Sequence, residues 1–394
     1  MKKNILIVRG FANEINITNY NSQEIGLAKA LIKQGYQCDI VYYTKSKKAW
    51  IQKLDIDNCQ VNIYWYPAIK IFNNAIYIQM MRDKIIDNYD IIQTNEYNQF
   101  MTWYLCKTKK KPIVLYNGIY QDSRSIFARI INNKIPELLF KKAILKNIDI
   151  AVGKSKLAEE YLKNKGFKNT KTVGVGLDIE KLNKKEIGSN DIDKIIDDLK
   201  IKLKDNKVLL YIGRLNDKAK NIRFLIDILA EIVKVRPNYK LLLVGKSYIN
   251  TIQEHLDYAK EKGIGNNVIH INGIPQTYLK AIYDISDIFV LPSKYEIFGM
   301  VIMESMYFKT PVITSINGGS TTVIDHNETG IIVEDFNVKI WSESIIKLIE
   351  NRELYNNIII NAYETITTKF IWEELAKEFI KIYKKLNVDN KSKI

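Results

Sequence analysis

The sequence predicts an α/β protein built from two doubly wound domains, on three observations. The chain has 394 residues, too many for one ordinary core, and two domains of about 200 residues each are the natural division. Short apolar runs alternate with amphipathic stretches from end to end, the pattern of parallel strands covered by helices. That rhythm pauses across a charged, glycine-poor segment and then restarts. Two Rossmann-like domains facing across a cleft are the expected architecture, with ligands near the carboxyl ends of the strands.

In the first half the runs Asn4–Val8, Cys38–Tyr43, Asp90–Thr94, Pro112–Leu115 and Asp149–Val152 read as strands. Ser22–Gln34 reads as a helix that Gly35 stops. In the second half Val208–Ile212, Lys240–Val244, Val268–Ile271, Ile288–Leu291, Pro311–Thr314 and Gly330–Val333 are strands, and Ile222–Val235 is a helix stopped by Pro237. The expected domains are residues 1–175 and 206–370, joined over 176–205 by a linker and surface helix. A last amphipathic helix, within 371–386, is left over once the second sheet is complete and is expected to pack back on the first domain.

Hydrophobic residues make up 46% and charged residues 26% of the chain, a globular composition. No run approaches the ~18 apolar residues of a membrane span. The first apolar segment, Ile5 to Val8, is strand-length and ends at Arg9, so the start reads as a core strand and not as a leader. Three cysteines (Cys38, Cys59, Cys106) without metal-type spacing point to a reducing, cytoplasmic compartment. The formal charge of +15 has two readings. Abundant Asn, Ile, Lys and Tyr suggest an AT-rich genome that raises Lys without selection. Alternatively the charge serves an anionic partner, either phosphates or acidic lipid headgroups. Aromatic RNA-binding signatures are absent, which argues against nucleic acid.

The densest chemical signal runs from Ile288 to Met306. A strand ends at Pro292, a loop carries Glu296, and a helix starts near Gly299, where backbone N–H groups lacking helical partners form an anion site. Glu296 and Glu304 are separated by seven residues, at most ~12 Å if helical, a span suited to gripping two hydroxyl-bearing parts of one extended ligand. Glu304 sits among Ile302, Met303 and Met306, where an unpaired carboxylate is costly. Earlier, Gly213-Arg214 follows a strand, and Lys220-Asn221 opens the next helix. Two cations there suit a pyrophosphate: Arg offers a planar fork and Lys a point charge. Lys218 competes with Lys220 for that position, and Asn221 at the helix start favours Lys220.

These features, with the Leu241–Gly245 strand, the run from Gly273 to Ser293, the Gly318-Gly319 loop and the closing Trp372 helix, resemble the E-x7-E signature of the family 4 retaining glycosyltransferases of GT-B fold. The resemblance covers nearly the whole chain and is strongest in its second half. It implies metal-independent transfer, without a cofactor, from a nucleotide-sugar donor on the second domain to a glycan or lipid-linked acceptor on the first. It further implies that Glu296 faces the transferred sugar, that Glu304 holds the ribose, and that Arg214 and Lys220 clamp the diphosphate. Backbone around Gly213, Phe298, Gly299, Met300 and Val301 would contact sugar and phosphate, and the loop at Ile274 the base. A UDP-sugar is expected before GDP-mannose on the family's usage. The rivals are a nucleotide-sugar epimerase of the same fold, a mannosyltransferase, and a non-catalytic binder of anionic ligands. Three positions depart from the family pattern. Asn117-Gly118 stands where a His-Gly pair near the donor is usual; Thr18-Asn19 replaces a glycine pair; Thr322 replaces a Glu.

The pairs Asp55/Asp57 and Asp191/Asp193 have the shape of a metal-binding motif without following a core strand, and His255, His270 and His326 are scattered. No metal site is expected from them. Ser123–Lys146 is basic and amphipathic; it reads either as an ordinary helix pair burying its apolar face or as a peripheral contact with an anionic membrane. The lysines at 107 and 109–111 could extend that face or form a solvated turn.

Overall fold

A computed structural model describes residues 3–17, 22–56, 59–122, 125, 129–183 and 190–391. The chain divides into two compact units, Met1–Asp178 with Ile371–Ile394, and Ile179–Phe370. Helix Asn190–Leu203, expected on the surface between domains, is counted with the second unit.

The first unit holds an eight-stranded sheet. Its strands are β1 (Asn4–Val8), β2 (Gln37–Thr44), β3 (Trp50–Ile56), β4 (Cys59–Pro67), β7 (Ile91–Asn95), β8 (Ile113–Asn117), β9 (Ile150–Gly153) and β10 (Thr170–Thr172), with β5 (Ile69–Ile71) and β6 (Asn74–Ile76) forming a separate hairpin. The order is β10-β9-β8-β7-β1-β2-β4-β3, and every pair is parallel except β3 with β4. The chain winds one way from β1 through β2 and the other way from β7 onward, so the switch point lies between β1 and β7.

Strands β3 and β4 go beyond the sequence reading. Along β4, Val61, Ile63 and Trp65 are buried while Asn62 and Tyr64 are half-buried. That is the period-2 pattern of a strand lying near a sheet edge.

The second unit repeats the theme with six parallel strands: β11 (Lys207–Ile212), β12 (Tyr239–Val244), β13 (Val268–Ile271), β14 (Ile288–Leu291), β15 (Val312–Ser315) and β16 (Ile331–Val333). Their order, β13-β12-β11-β14-β15-β16, puts the switch point between β11 and β14. All four residues of β14 are buried, as a central strand covered on both faces requires. Helix Val338–Glu350 starts on Asn337, whose Oδ1 accepts from Lys339 N at 2.9 Å, and helix Arg352–Lys369 starts on Asn351. No helix among the described residues is long and apolar enough to cross a membrane.

The final helix, Trp372–Lys391, belongs to the first unit. Trp372 enters a socket that only glycine permits: a Cβ on Gly26 would stand 2.2 Å from its Nε1, and one on Gly176 2.5 Å from its Cδ2. Further along the helix Phe379 meets Tyr116 edge to face at 5.3 Å, and Tyr383 donates to Gln93 Oε1 at 2.7 Å. Emptying the socket by Trp372→Ala removes a side chain that is 4% exposed and should destabilise the first unit by ~3–5 kcal/mol. Denaturant unfolding followed by far-ultraviolet circular dichroism measures this; a loss below ~1 kcal/mol would show that the helix is not held there.

Candidate active site

Two loops leave the switch point of the second sheet side by side. After β11 the chain passes through Gly213 and Arg214. The neighbouring strand end approaches closely because Gly245 has no side chain; a Cβ there would lie 1.8 Å from the Gly213 carbonyl oxygen. Asp217 Oδ1 then accepts from Ala219 N at 3.0 Å and caps the short turn Lys218–Lys220. Asn221 takes a left-handed conformation (φ 61°), which asparagine tolerates, and the chain enters helix Ile222–Val233. The turn leaves Lys218 exposed and buries Lys220. Of the two lysines, Lys220 is the one held inside.

The loop after β14 is tied to this turn by its backbone: Lys294 N–H donates to the Ala219 carbonyl at 2.7 Å. Two residues on, the Glu296 carboxylate meets the Lys220 ammonium in a direct ion pair. Phe298 is buried, and Gly299 (φ 73°) turns the chain into helix Met300–Tyr307. A Cβ on Gly299 would come within 2.9 Å of Glu296 Cγ, so glycine is required both for its dihedral angle and for room beside the carboxylate. At the start of this helix the N–H groups of Met300 and Val301 have no intrahelical acceptor and carry the positive end of the helix dipole. Two helix-start N–H donors therefore lie four and five residues along the chain from a carboxylate already paired with a lysine.

Arg214 stands on the rim. Its side chain is 74% exposed and pairs with Asp217 at 3.2 Å, a surface contact contributing ~0–1 kcal/mol that an incoming anion can displace. Below it, the Tyr211 hydroxyl reaches the Arg214 carbonyl at 3.4 Å. Burial, followed by the negative charge of Glu296, pushes the Tyr211 phenol far above its ordinary range. Ile274 is half-buried in the loop between β13 and the turn Gln276–Tyr278.

The two glutamates have different surroundings. Glu296 is paired with a cation; Glu304 is 2% exposed, with the Tyr283 hydroxyl 3.4 Å from its Oε2. Tyr283 also donates to the Val301 carbonyl at 3.2 Å.

The first unit has its own polar switch point, which the sequence reading passed over. Glu96, just after β7, is 3% exposed and left-handed (φ 59°). Its carboxylate accepts from Gly118 N at 3.0 Å and Ile119 N at 3.2 Å and pairs with Lys154, after β9, at 3.4 Å. Glu24 accepts from Asn95 Nδ2 at 2.5 Å and from the Tyr42 hydroxyl at 3.2 Å. Arg9 reaches Glu24 at 3.8 Å. Buried oxygens of Asn95 (Oδ1) and Gln99 (Oε1) have no hydrogen-bond partner among the described residues. The rule that chemistry lies just past strand ends, used on the second half, would have singled out Arg9, Glu96 and Lys154.

Asn117 ends β8 and is fully buried in this first unit; its amide donates to the Ile119 carbonyl at 2.8 Å and accepts from Tyr97 N at 3.3 Å. Its side chain shapes the loop that presents Gly118 to Glu96. Thr322 bonds back to the Gly318 carbonyl at 2.8 Å, and Thr18-Asn19 lies outside the described residues. Asp55 lies within β3 and accepts from Gln60 at 2.8 Å, Asp57 is outside the described residues, and Asp191 and Asp193 occupy the first turn of a helix. His255 and His270 each contact a backbone carbonyl at 3.1 Å.

Burial pushes the Glu304 carboxyl from 4.5 up to about 8. A carboxyl raised in the folded state favours folding below its unfolded value and loses that contribution as pH rises toward 8. The slope from this one group is at most ~1.4 kcal/mol per pH unit between those limits. Urea unfolding at pH 5.5 and pH 8.5 should show a fall in stability that Glu304→Gln reduces by ~1 kcal/mol or more. An unchanged fall would mean that the carboxyl is ionised throughout.

Residues 191–365 match the family model described as glycosyl transferases group 1. An uncharacterised glycosyltransferase of Methanocaldococcus jannaschii is 32% identical over 180 residues, 46% of this chain and 45% of that protein. The capsular polysaccharide biosynthesis glycosyltransferase CapM of Staphylococcus aureus is 33% identical over 181 residues, 45% of this chain and 47% of that one. The matches thus span about half the length of these curated relatives. The solved structure of Anabaena HepE in complex with UDP superposes with a TM-score of 0.73 at 17% identity, covering 97% of this chain and all of that one. The fold is that of the GT-B glycosyltransferases, and the family model and the relatives support a glycosyltransferase.

Proposed function

We propose that the chain is a retaining, metal-independent glycosyltransferase that moves a hexose or N-acetylhexosamine from a nucleoside-diphosphate sugar to a glycan or lipid-linked acceptor. The carrying observation is the Lys220–Glu296 pair at the second sheet's switch point, beside the start of helix Met300–Tyr307. A sugar diphosphate has the matching pattern: two anionic phosphates next to a ring of hydroxyls.

On binding, Lys220 and Arg214 turn to the diphosphate, and the N–H groups of Met300 and Val301 add donors to it. Glu296 accepts from hydroxyls of the hexose. Glu304 and the loop at Ile274 serve the nucleoside. As the anomeric C–O bond breaks, charge grows on the departing diphosphate, and the cations stabilise that state more than the bound donor. The acceptor oxygen enters from the same face, and its proton passes to the departing phosphate oxygen. No side-chain nucleophile takes part.

The acceptor belongs to the first unit, where the buried Asn95 and Gln99 oxygens lack donors that acceptor hydroxyls could supply. Two of the comparisons favour a UDP-sugar and a surface polysaccharide or glycolipid product. HepE was solved with UDP, and CapM bears a capsular name.

A panel of nucleotide sugars, scored for binding and for hydrolysis with and without EDTA, tests this reading. One UDP-sugar should bind and turn over independently of EDTA, and Lys220→Ala and Glu296→Ala should each lower kcat by ~10²–10³. Release of an altered nucleotide sugar without acceptor would replace the proposal with an epimerase. Unchanged turnover in Glu296→Ala would remove that residue from the reaction.

A further inference from the structure

The helix Ile135–Asn147 faces two ways. One face is fastened into the first unit. Glu137 pairs with Lys165 and accepts from the Tyr97 hydroxyl at 3.0 Å; Phe140 packs against Trp103 with ring centres 5.1 Å apart; Ile144 is 1% exposed. The opposite face carries Ile135, Leu138, Leu139, Lys142 and Lys146, the i, i+3, i+4, i+7, i+11 positions of one stripe. Leu138 is 85% exposed, Leu139 62% and Ile135 47%, and Ile130 in the preceding π turn is 44% exposed. Four large aliphatic side chains are thus offered to solvent on an element whose packing face is already satisfied.

Along this helix the exposed charges are all of one sign. Lys134, Lys142 and Lys146 are exposed, and none has an ion-pair partner among the described residues. The sole acid between 129 and 147, Glu137, is turned inward to Lys165. The nearby lysine run behaves differently. Lys109 is bound to Asp149 at 2.7 Å, Lys110 to Asp87 at 2.9 Å, and Lys107 lies over the Trp103 ring at 5.0 Å.

We propose that this helix face docks the first unit onto an anionic lipid surface, with Leu138, Leu139, Ile135 and Ile130 entering the acyl boundary and Lys134, Lys142 and Lys146 meeting the phosphates. The charge pattern selects the occupant. Aliphatic tips with a cationic border match a bilayer whose apolar layer is overlaid by negative headgroups. A second copy of the face would set lysines against lysines. This surface stands whether or not Lys220 and Glu296 act on a nucleotide sugar.

Co-sedimentation of the full chain with vesicles of phosphatidylglycerol and phosphatidylcholine, against phosphatidylcholine alone, tests it. The protein should partition onto the anionic vesicles, far less onto the neutral ones, and should be released as salt rises from 0.1 to 0.5 M, values chosen about a Debye length of ~10 Å and below. The double change Leu138→Asn with Leu139→Asn should weaken partition by about tenfold per leucine. Lys142→Gln with Lys146→Gln should weaken it by about fivefold per lysine, on anionic vesicles only. Thermal melting controls for folding, which these exposed positions should leave unchanged. Leu139→Trp supplies a second readout, since its emission should shift to the blue on anionic vesicles. Three results would overturn the proposal: equal partition onto both vesicle types, full binding by the leucine double variant, or a wild-type dimer in sedimentation without lipid that the same variant dissolves.

Discussion

The site in the second unit depends on one steric constraint, the backbone-to-backbone contact between the loop after β14 and the turn after β15. A Cβ on Gly318 would lie 1.9 Å from the Ile297 carbonyl oxygen, and one on Gly319 1.6 Å from that of Phe298. With no side chain between them, Gly318 N–H donates to the Glu296 carbonyl at 3.0 Å. On its other side the same loop is bonded to the Ala219 carbonyl. The loop that carries Glu296 is thereby held from both neighbouring strand ends, and the Glu296 side chain meets Lys220. The ion pair and this backbone lattice hold the same loop.

The two switch points show the same design with different chemistry. In the second sheet a cation and an anion meet beside the start of a helix. In the first, a left-handed glutamate receives two backbone N–H groups and a lysine. A non-glycine residue held in that conformation stores strain of order 1–3 kcal/mol and persists where surrounding bonds over-determine it, as the three partners of Glu96 do. Each crevice therefore has a charged floor built from the connections that follow the strands.

What the sequence disclosed follows from how strongly each signal is local. Strands β11, β12 and β14 are continuous apolar runs because both faces are covered, and their edges are visible in one dimension. The segment from Pro292 to Glu304 was legible because a strand end, a glycine and two spaced carboxylates fall within one stretch. Lys218 and Lys220 differ in burial only through the Asp217 cap and the left-handed Asn221, three-dimensional facts that left spacing to arbitrate. Strand β4 breaks its apolar residues at Gln60 and Asn62, which leaves only the short run Ile63-Tyr64-Trp65-Tyr66 as its signal. Glu96 and Lys154 are 58 residues apart and become partners only when β7, β8 and β9 lie side by side. The hydrogen bonds that Asn117 makes to Tyr97 and Ile119 likewise needed the folded positions of those residues.

The tryptophan socket has a temporal consequence. The first unit is completed by residues beginning at Ile371, and Tyr383 reaches Gln93 across 290 positions of chain. During synthesis the second unit is therefore fully translated while the groove between Gly26 and Gly176 still stands empty. Closing so long a loop adds little entropy cost once its ends are brought near by a folded intervening body, and domains generally fold as units as they emerge. The second unit thus separates the two sides of the socket along the chain, and the nascent protein carries an unfilled aromatic cleft until Trp372 leaves the ribosome.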